Sequence, residues 1–467
     1  MCLRRVEAER VSDGTDVYLQ KSCPEHGEFS TVLWRGVKSY LAWTGGMSST
    51  EKPGSDDKHA PGEGCPFECG LCDEHLQSTC CVILEVTNRC NLSCPVCFAN
   101  AEAQFSADLS FDAILDRCRS LLERVGRFNL QLSGGEPTMR NDLPEIVSAV
   151  RALGVPFVQL NTNGLRLAAE PEYAAELQQA GLDCVFLQFD GVSDDVYAAL
   201  RGRSLFDRKL DAIHNCAKAQ LGVVLVPTLV PGVNTGEIGA ILRFACAHLP
   251  AIRAVHFQPV SFFGRYPHWT DAHNSEANEF RTPGNACRIT IPEILDAIET
   301  QTGGMFRVED FRAPMAEHAS CSFQGRFHIG EDGMVRPAAQ SASSCCSAPQ
   351  PLVKLGAAPA AKSTDSSSRA RQAVARQWAF PAPAPDAQDT GTESFDAFLA
   401  EGRRTLSISG MAFQDAWNLD VERLRRCFLH VAASDGKLIP LCAYNLTAAD
   451  GTPLYRGKNT LHGEVAR

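Results

Sequence analysis

Cys90-Asn-Leu-Ser-Cys94-Pro-Val-Cys97-Phe98 is the stretch on which the fold reading turns. Its spacing is C-x3-C-x2-C, directly behind the apolar run Val82–Val86. Three thiolates at such gaps can each take one iron of a [4Fe–4S] cube and leave the fourth iron without a protein ligand. An iron left open in this way can chelate the amino and carboxylate groups of a small molecule. A zinc knuckle or a buried cysteine trio would use the same residues differently.

Working outward, apolar runs that suit buried parallel strands recur at Val82–Val86, Leu130–Leu132, Phe157–Leu160, Val185–Phe189, Val223–Leu229 and Val255–Pro259. Helix-like stretches lie between them at Phe111–Val125, Leu143–Leu153, Pro171–Ala180, Asp207–Ala219 and Thr235–His248. In the second, apolar residues at 143, 146, 147, 150 and 153 keep close to helical spacing. This alternation predicts an α/β fold built on a parallel (β/α)6 array, a partial barrel rather than a closed one of eight units. Chemistry in such sheets gathers at the C-terminal strand ends.

The expected strand ends carry polar motifs. Ser133-Gly134-Gly135-Glu136-Pro137 follows the second strand. Its glycines allow close backbone approach to a ligand, and Glu136 supplies a carboxylate that can accept from an ammonium group. Asn161-Thr162-Asn163-Gly164 ends the third strand, as a plain turn or as part of the cavity wall. Gln188-Phe189-Asp190-Gly191 ends the fourth, and Gln258-Pro259 the sixth.

With these motifs the segment 82–265 resembles the radical S-adenosylmethionine (SAM) superfamily. The resemblance implies that Cys90, Cys94 and Cys97 hold the catalytic [4Fe–4S] cluster, whose open iron binds SAM. It implies that Gly134, Gly135, Glu136 and Pro137 form the motif for the SAM amino group, that Asp190 contacts the ribose, and that Asn163 lines the same cavity. An electron from the cluster would break the S–C5′ bond of SAM.

The chain has 20 cysteines. Cys65-x3-Cys69-x2-Cys72-x7-Cys80 could saturate a second [4Fe–4S] cluster or form a tetrahedral zinc site. Cys81 competes with Cys80 for the last place. Cys118, Cys184, Cys216, Cys246 and Cys287 are isolated and read as packing residues.

The run Cys69-Gly-Leu-Cys72-x-x-His75 resembles a narrower subfamily. So do Val86-Thr-Asn-Arg-Cys90, Cys23-Pro-Glu-His26-Gly, Ser409-Gly-Met-Ala-Phe-Gln-Asp-Ala-Trp417 and Pro440-Leu-Cys442-Ala-Tyr-Asn-Leu446. That subfamily contains archaeal tetraether-lipid synthases and dihydropterin methyltransferases. It implies an N-terminal ribbon holding a mononuclear iron or zinc on Cys2 and Cys23, with His26 beside them. The first cysteine of the pair that opens the ribbon in relatives is missing here. The resemblance also implies a further cluster among Cys321, Cys345, Cys346, Cys427 and Cys442, for two or three [4Fe–4S] clusters in all.

The expected organisation is a ribbon-like metal domain over 1–62, an auxiliary-cluster segment over 63–81, and the partial barrel over 82–265. A C-terminal cluster or substrate domain covers 266–467, interrupted by a flexible Ala/Pro/Ser-rich insertion at about 347–392. Small cysteine-rich domains thus flank the barrel on both sides. The net charge of −11 argues against nucleic acid as a partner. No run of 18 or more apolar residues indicates a transmembrane segment, and no secretory signal opens the chain, so the cytoplasm is the expected location. The expected function is C–C bond formation at unactivated carbon: methylation of a pterin-like small molecule or coupling of lipid chains. The substrate is then a small molecule or lipid, and the reductant a flavodoxin or ferredoxin. A peptide-modifying maturase and a non-enzymatic electron carrier are the competing readings.

Overall fold

In a computed structural model, residues 3–44, 64–72, 74–101, 108–266, 284–314, 316–338, 366–381 and 404–457 are described. Three strands, β1 (Ala8–Ser12), β2 (Val17–Cys23) and β3 (Gly27–Trp34), form an antiparallel N-terminal sheet. A short helix, α1 (Val37–Trp43), follows.

The expected apolar runs become β4 (Cys81–Thr87), β5 (Asn129–Gly134), β6 (Phe157–Thr162), β7 (Cys184–Gln188), β8 (Gly222–Val226) with the short β9 (Thr228–Leu229), and β10 (Ile252–Pro259). They lie side by side and parallel in chain order from β4 to β10. Every residue of β8 is buried, which is why it reads as an unbroken apolar run.

Amphipathic helices cover the outer face. In α2 (Phe111–Val125), Ser110 caps the start and Ile114, Leu115, Cys118 and Leu121 face the core. In α3 (Leu143–Ala152) the buried residues are Leu143, Ile146, Val147 and Val150. The series continues with α4 (Leu165–Ala169), α5 (Tyr173–Gln179), α6 (Asp194–Arg201), α7 (Phe206–Lys218), α8 (Ile238–Ala247) and α9 (Ile291–Thr302). No helix among the described residues is long and apolar enough to cross a membrane.

The C-terminal part does not stand apart from this sheet. Strand β13 (Thr405–Met411) adds parallel to β10, and β11 (Ser322–Ile329) and β12 (Val335–Pro337) continue antiparallel beyond it. At the opposite edge β14 (Leu429–Ala432) adds parallel to β4, with β15 (Leu438–Pro440) antiparallel to β14. The C-terminal strands therefore extend both edges of the barrel sheet and hide its unpaired backbone groups.

Part of the stretch expected to be a flexible insertion forms a helix, α10 (Ser366–Trp378). It crosses the N-terminal ends of the barrel strands. Asn129, the first residue of β5, donates to the Arg371 carbonyl at 3.3 Å, and Arg371 donates to the Thr79 carbonyl at 2.7 Å. Gly222 opens β8, where a Cβ would stand 2.5 Å from the Trp378 carbonyl oxygen. The Ala-rich composition that suggested a linker is also what good helix formers look like.

Candidate active site

The loop carrying Cys90, Cys94 and Cys97 leaves the C-terminal end of β4 and is gripped by the end of β5. Gly135 N donates to the Thr87 carbonyl and Glu136 N to the Arg89 carbonyl, both at 2.8 Å. The glycines are required here for a reason the sequence did not expose. A Cβ on Gly134 would lie 2.0 Å from the Thr87 oxygen, and one on Gly135 2.3 Å from the Arg89 oxygen. They admit the cysteine loop itself at close range. Further along, Cys97 exchanges backbone hydrogen bonds with Arg265, whose guanidinium donates to the Cys94 carbonyl at 2.8 Å.

Cys90, Cys94 and Cys97 are free thiols lining one cavity together with Gly134, Gly135, Glu136 and Asn163. Burial pushes the Cys90 thiol up to about 12 and raises Cys94. Such thiols become thiolates when a cation joins them. Among the described residues no three His, Cys, Asp or Glu side chains meet around a point fit for a single metal ion. The donor set fits a [4Fe–4S] cube, in which each thiolate takes its own iron.

Glu136 is buried, and its carboxylate is heavily engaged. Oε1 accepts from Thr138 N at 3.0 Å, Thr138 Oγ1 at 2.6 Å and Thr162 Oγ1 at 2.7 Å; Oε2 accepts from Asn163 N at 2.7 Å. Glu136 also lines the cavity. Pro137 starts the short 3-10 turn Pro137–Met139 and is buried. The Asn163 side chain donates to Asn91 Oδ1 in the cysteine loop at 2.7 Å. Lys209 of α7, wholly buried, donates to the Asn163 carbonyl at 2.5 Å, and burial lowers its ammonium to about 8.

Asp190 is not placed as expected. It is fully buried and absent from the cavity wall. Arg201 of α6 grips both of its oxygens, Nε to Oδ2 at 2.7 Å and Nη2 to Oδ1 at 2.6 Å, and Thr228 N donates to Oδ1 at 3.2 Å. A carboxylate so occupied has no face to offer a ribose. Arg201 and Gln188 line the cavity instead, and Arg201 also donates to the Val96 carbonyl in the cysteine loop at 2.9 Å. Arg201 escaped the sequence reading because it stands on a helix the apolar pattern did not mark.

The cavity measures about 1540 Å³. Along β5, β6, β7 and β10 its wall carries the amides of Asn129, Gln131, Gln159, Asn161, Gln188 and Gln258. Gln159 donates to Gln131 at 2.6 Å. At the floor, Trp378 of α10 packs on Phe186, ring centroids 5.2 Å apart, with His256 at 6.1 Å from Trp378. Burial lowers His256 to about 4, and its Nδ1 lies 2.9 Å from Ser409 Oγ.

The other cysteines fall into groups. Cys65 and Cys69 pack with Cys442, Leu424 and Ile439. A hydrogen bond shared by Cys65 and Cys69 lowers the first thiol and raises the second, and the neighbouring Cys72 raises Cys69 further. Cys72 is exposed, and Cys80 is buried on the cavity wall. Cys321, Cys427 and Cys442 feel one another electrostatically, and Arg423 Nε donates to Cys321 Sγ at 3.5 Å. Cys2, Cys345 and Cys346 lie outside the described residues. Cys23 ends β2 with its Sγ 3.3 Å from His26 Nδ1. Cys118, Cys184 and Cys216 are buried, and Cys246 and Cys287 half-buried.

The chain is similar to several known proteins. Residues 84–245 match the radical SAM superfamily model, and residues 1–35 match the HMPTM N-terminal zinc ribbon domain. The chain is 33% identical to the 7,8-dihydro-6-hydroxymethylpterin dimethyltransferase of Methanocaldococcus jannaschii, over 95% of this chain and 92% of that protein. It is 24% identical to a probable GTP 3′,8-cyclase of Methanothermobacter thermautotrophicus, over 57% of this chain and 86% of the relative. Among solved structures, methylornithine synthase (PylB) is 16% identical with a TM-score of 0.34, covering 48% of this chain and 64% of that one. With the C-x3-C-x2-C loop seated on Gly134-Gly135-Glu136 at the mouth of a parallel β/α barrel, the chain belongs to the radical SAM superfamily and is an enzyme that uses a [4Fe–4S] cluster and SAM.

Proposed function

We propose that the enzyme methylates a pterin-like heterocycle, forming a C–C bond at an unactivated carbon. The carrying observation is the amide belt of Gln131, Gln159, Asn161, Gln188 and Gln258 around the cavity. Amides pair donor and acceptor edges with a polar nitrogen heterocycle. The full-length similarity to a dihydropterin dimethyltransferase supports the same reading.

In this reading Cys90, Cys94 and Cys97 hold the catalytic cluster, which when bound supplies the electron that cleaves SAM into methionine and a 5′-deoxyadenosyl radical. Gly134 and Gly135 seat the cysteine loop. Glu136 and Asn163 receive the SAM amino group, and Arg201, oriented by Asp190, fixes the loop from the far side. Cys65, Cys69, Cys72 and Cys80 hold a saturated auxiliary cluster. Cys321, Cys427 and Cys442 with Cys345 hold a third. Cys2 and Cys23 belong to an N-terminal iron or zinc site. A flavodoxin or ferredoxin supplies the electron. We place the enzyme in the cytoplasm, where thiols stay reduced and available to hold clusters.

The methyl group comes from a second SAM, which leaves as S-adenosylhomocysteine. The reductant supplies two electrons in all, one to cleave the first SAM and one to complete the transfer. The test is anaerobic turnover with SAM, a strong reductant and 7,8-dihydro-6-hydroxymethylpterin. A product heavier by an added carbon unit, together with 5′-deoxyadenosine, is expected, and Cys94→Ala should form neither. Turnover on ether lipids or a peptide with none on the dihydropterin overturns the assignment.

A further inference from the structure

One wall of the cavity carries a chemistry that neither the cluster nor the amide belt uses. It is built by the strands that the C-terminal part adds next to β10. In β11, Phe323, Phe327 and Ile329 enter the core, so Gln324, Arg326 and His328 alternate onto the cavity side. In β13, Leu406 and Ile408 enter the core and Ser407 and Ser409 face the cavity. Register sets Arg326 beside Ser407 and Gln324 beside Ser409. Ser409 in turn neighbours His256 on β10, where Arg253 also lines the wall.

This wall is rich in donors and cationic, inside a chain of net charge −11. Arg253 is buried and donates to Thr405 Oγ1 at 3.2 Å. Arg326 is exposed to the cavity, and no carboxylate among the described residues forms an ion pair with it. Burial and the charge of Arg326 lower Arg253 to about 10, so two guanidinium groups are held near each other against their repulsion. Arg369 and Arg376 of α10 line the same cavity. The carboxylates on the cavity wall have other partners. Glu85 takes Arg456 at 2.7 Å, Glu136 takes its backbone and threonine donors, and Glu317 takes the Ser322 hydroxyl at 2.5 Å.

We propose that Arg326 and Arg253, with the Ser407 hydroxyl, form a subsite for an oxyanion, a phosphate or carboxylate carried by the molecule that occupies the cavity. Guanidinium forks recognise both groups bidentately. The proposal rests on the reading of this cavity as the substrate site and adds that the preferred substrate is a pterin derivative with an anion at one end, of which the neutral 7,8-dihydro-6-hydroxymethylpterin is the heterocyclic part. Its heterocycle meets the amide belt while its anion reaches the β11–β13 wall.

The probes are inorganic pyrophosphate and glutarate, titrated calorimetrically into the anaerobically reconstituted full chain, with 7,8-dihydro-6-hydroxymethylpterin titrated in parallel. Arg326→Gln is the main variant. Arg208→Gln, an arginine on the outside of α7 with 60% of its side chain exposed, controls for net charge. Equal iron content and circular dichroism control for folding. Pyrophosphate binding weakened at least tenfold by Arg326→Gln and untouched by Arg208→Gln supports a phosphate-bearing substrate. The same pattern with glutarate alone supports a carboxylate. Binding of neither anion, or equal loss in both variants, overturns the subsite. Dihydropterin binding without anion binding refutes the subsite alone. Anion binding without dihydropterin binding refutes the pterin assignment and leaves the subsite standing.

Discussion

Arg201 and Asp190 form a buried two-pronged ion pair at 2.7 and 2.6 Å that ties the end of β7 to the cysteine loop through the Val96 carbonyl. Removing one member leaves an uncompensated charge in the interior, which costs about 3–5 kcal/mol. Asp190→Asn and Arg201→Gln should each lower the melting temperature and cluster content. The double variant should be little worse than either single one. If Asp190→Asn weakened SAM binding with melting temperature and iron content unchanged, Asp190 would be a direct contact rather than a positioning residue.

Gly135→Ala pushes a methyl group to 2.3 Å from the Arg89 oxygen and 2.7 Å from the Asn88 oxygen. The cysteine loop must then move. We expect loss of the catalytic cluster, with far-UV circular dichroism preserved and the auxiliary clusters retained. Mössbauer spectroscopy and iron analysis measure this directly. Replacing Cys90, Cys94 and Cys97 together by alanine gives the reference, with roughly eight irons remaining if two auxiliary cubes exist and four if one does. A Gly135→Ala protein with full iron and normal SAM cleavage would show that the glycine contact is dispensable.

His256 is held neutral, its pKa lowered by burial to about 4 against about 6.5 when unfolded. Below pH 6.5 the unfolded chain binds the proton and the folded chain does not. Stability contributed by the neutral state is therefore complete above pH 6.5 and falls away as pH drops toward 4. His256→Gln should make the melting temperature less sensitive to acid over that window. Identical pH profiles for parent and variant would mean that His256 titrates normally.

Trp378 closes the cavity floor against Phe186. Trp378→Ala should leave SAM binding intact, because the cysteine loop lies at the opposite strand ends. Product should fall at least tenfold relative to 5′-deoxyadenosine formed, as water enters and the substrate loses its backing. An unchanged ratio of product to 5′-deoxyadenosine would remove α10 from the substrate site.

Much of the barrel can be read from the chain alone, because each strand carries a core of buried apolar residues, unbroken in β8, and helical periodicity lies between the strands. The cysteine triad and Gly134-Gly135-Glu136 are equally legible, since each is a short motif whose residues converge locally. Three features required tertiary structure. The partner of Asp190 is Arg201, 11 residues on, and the apolar pattern gave no reason to join them. Strands β11, β13 and β14 read as parts of a separate domain, and only their pairing with β10 and β4 makes them edges of the barrel sheet. Helix α10 has the composition of a linker, and it is helical where it packs across the strand ends and exchanges hydrogen bonds there. Local periodicity and motif spacing are written in neighbouring residues. Pairings between distant segments depend on which surfaces meet after the chain has collapsed, and spacing along the sequence does not record that.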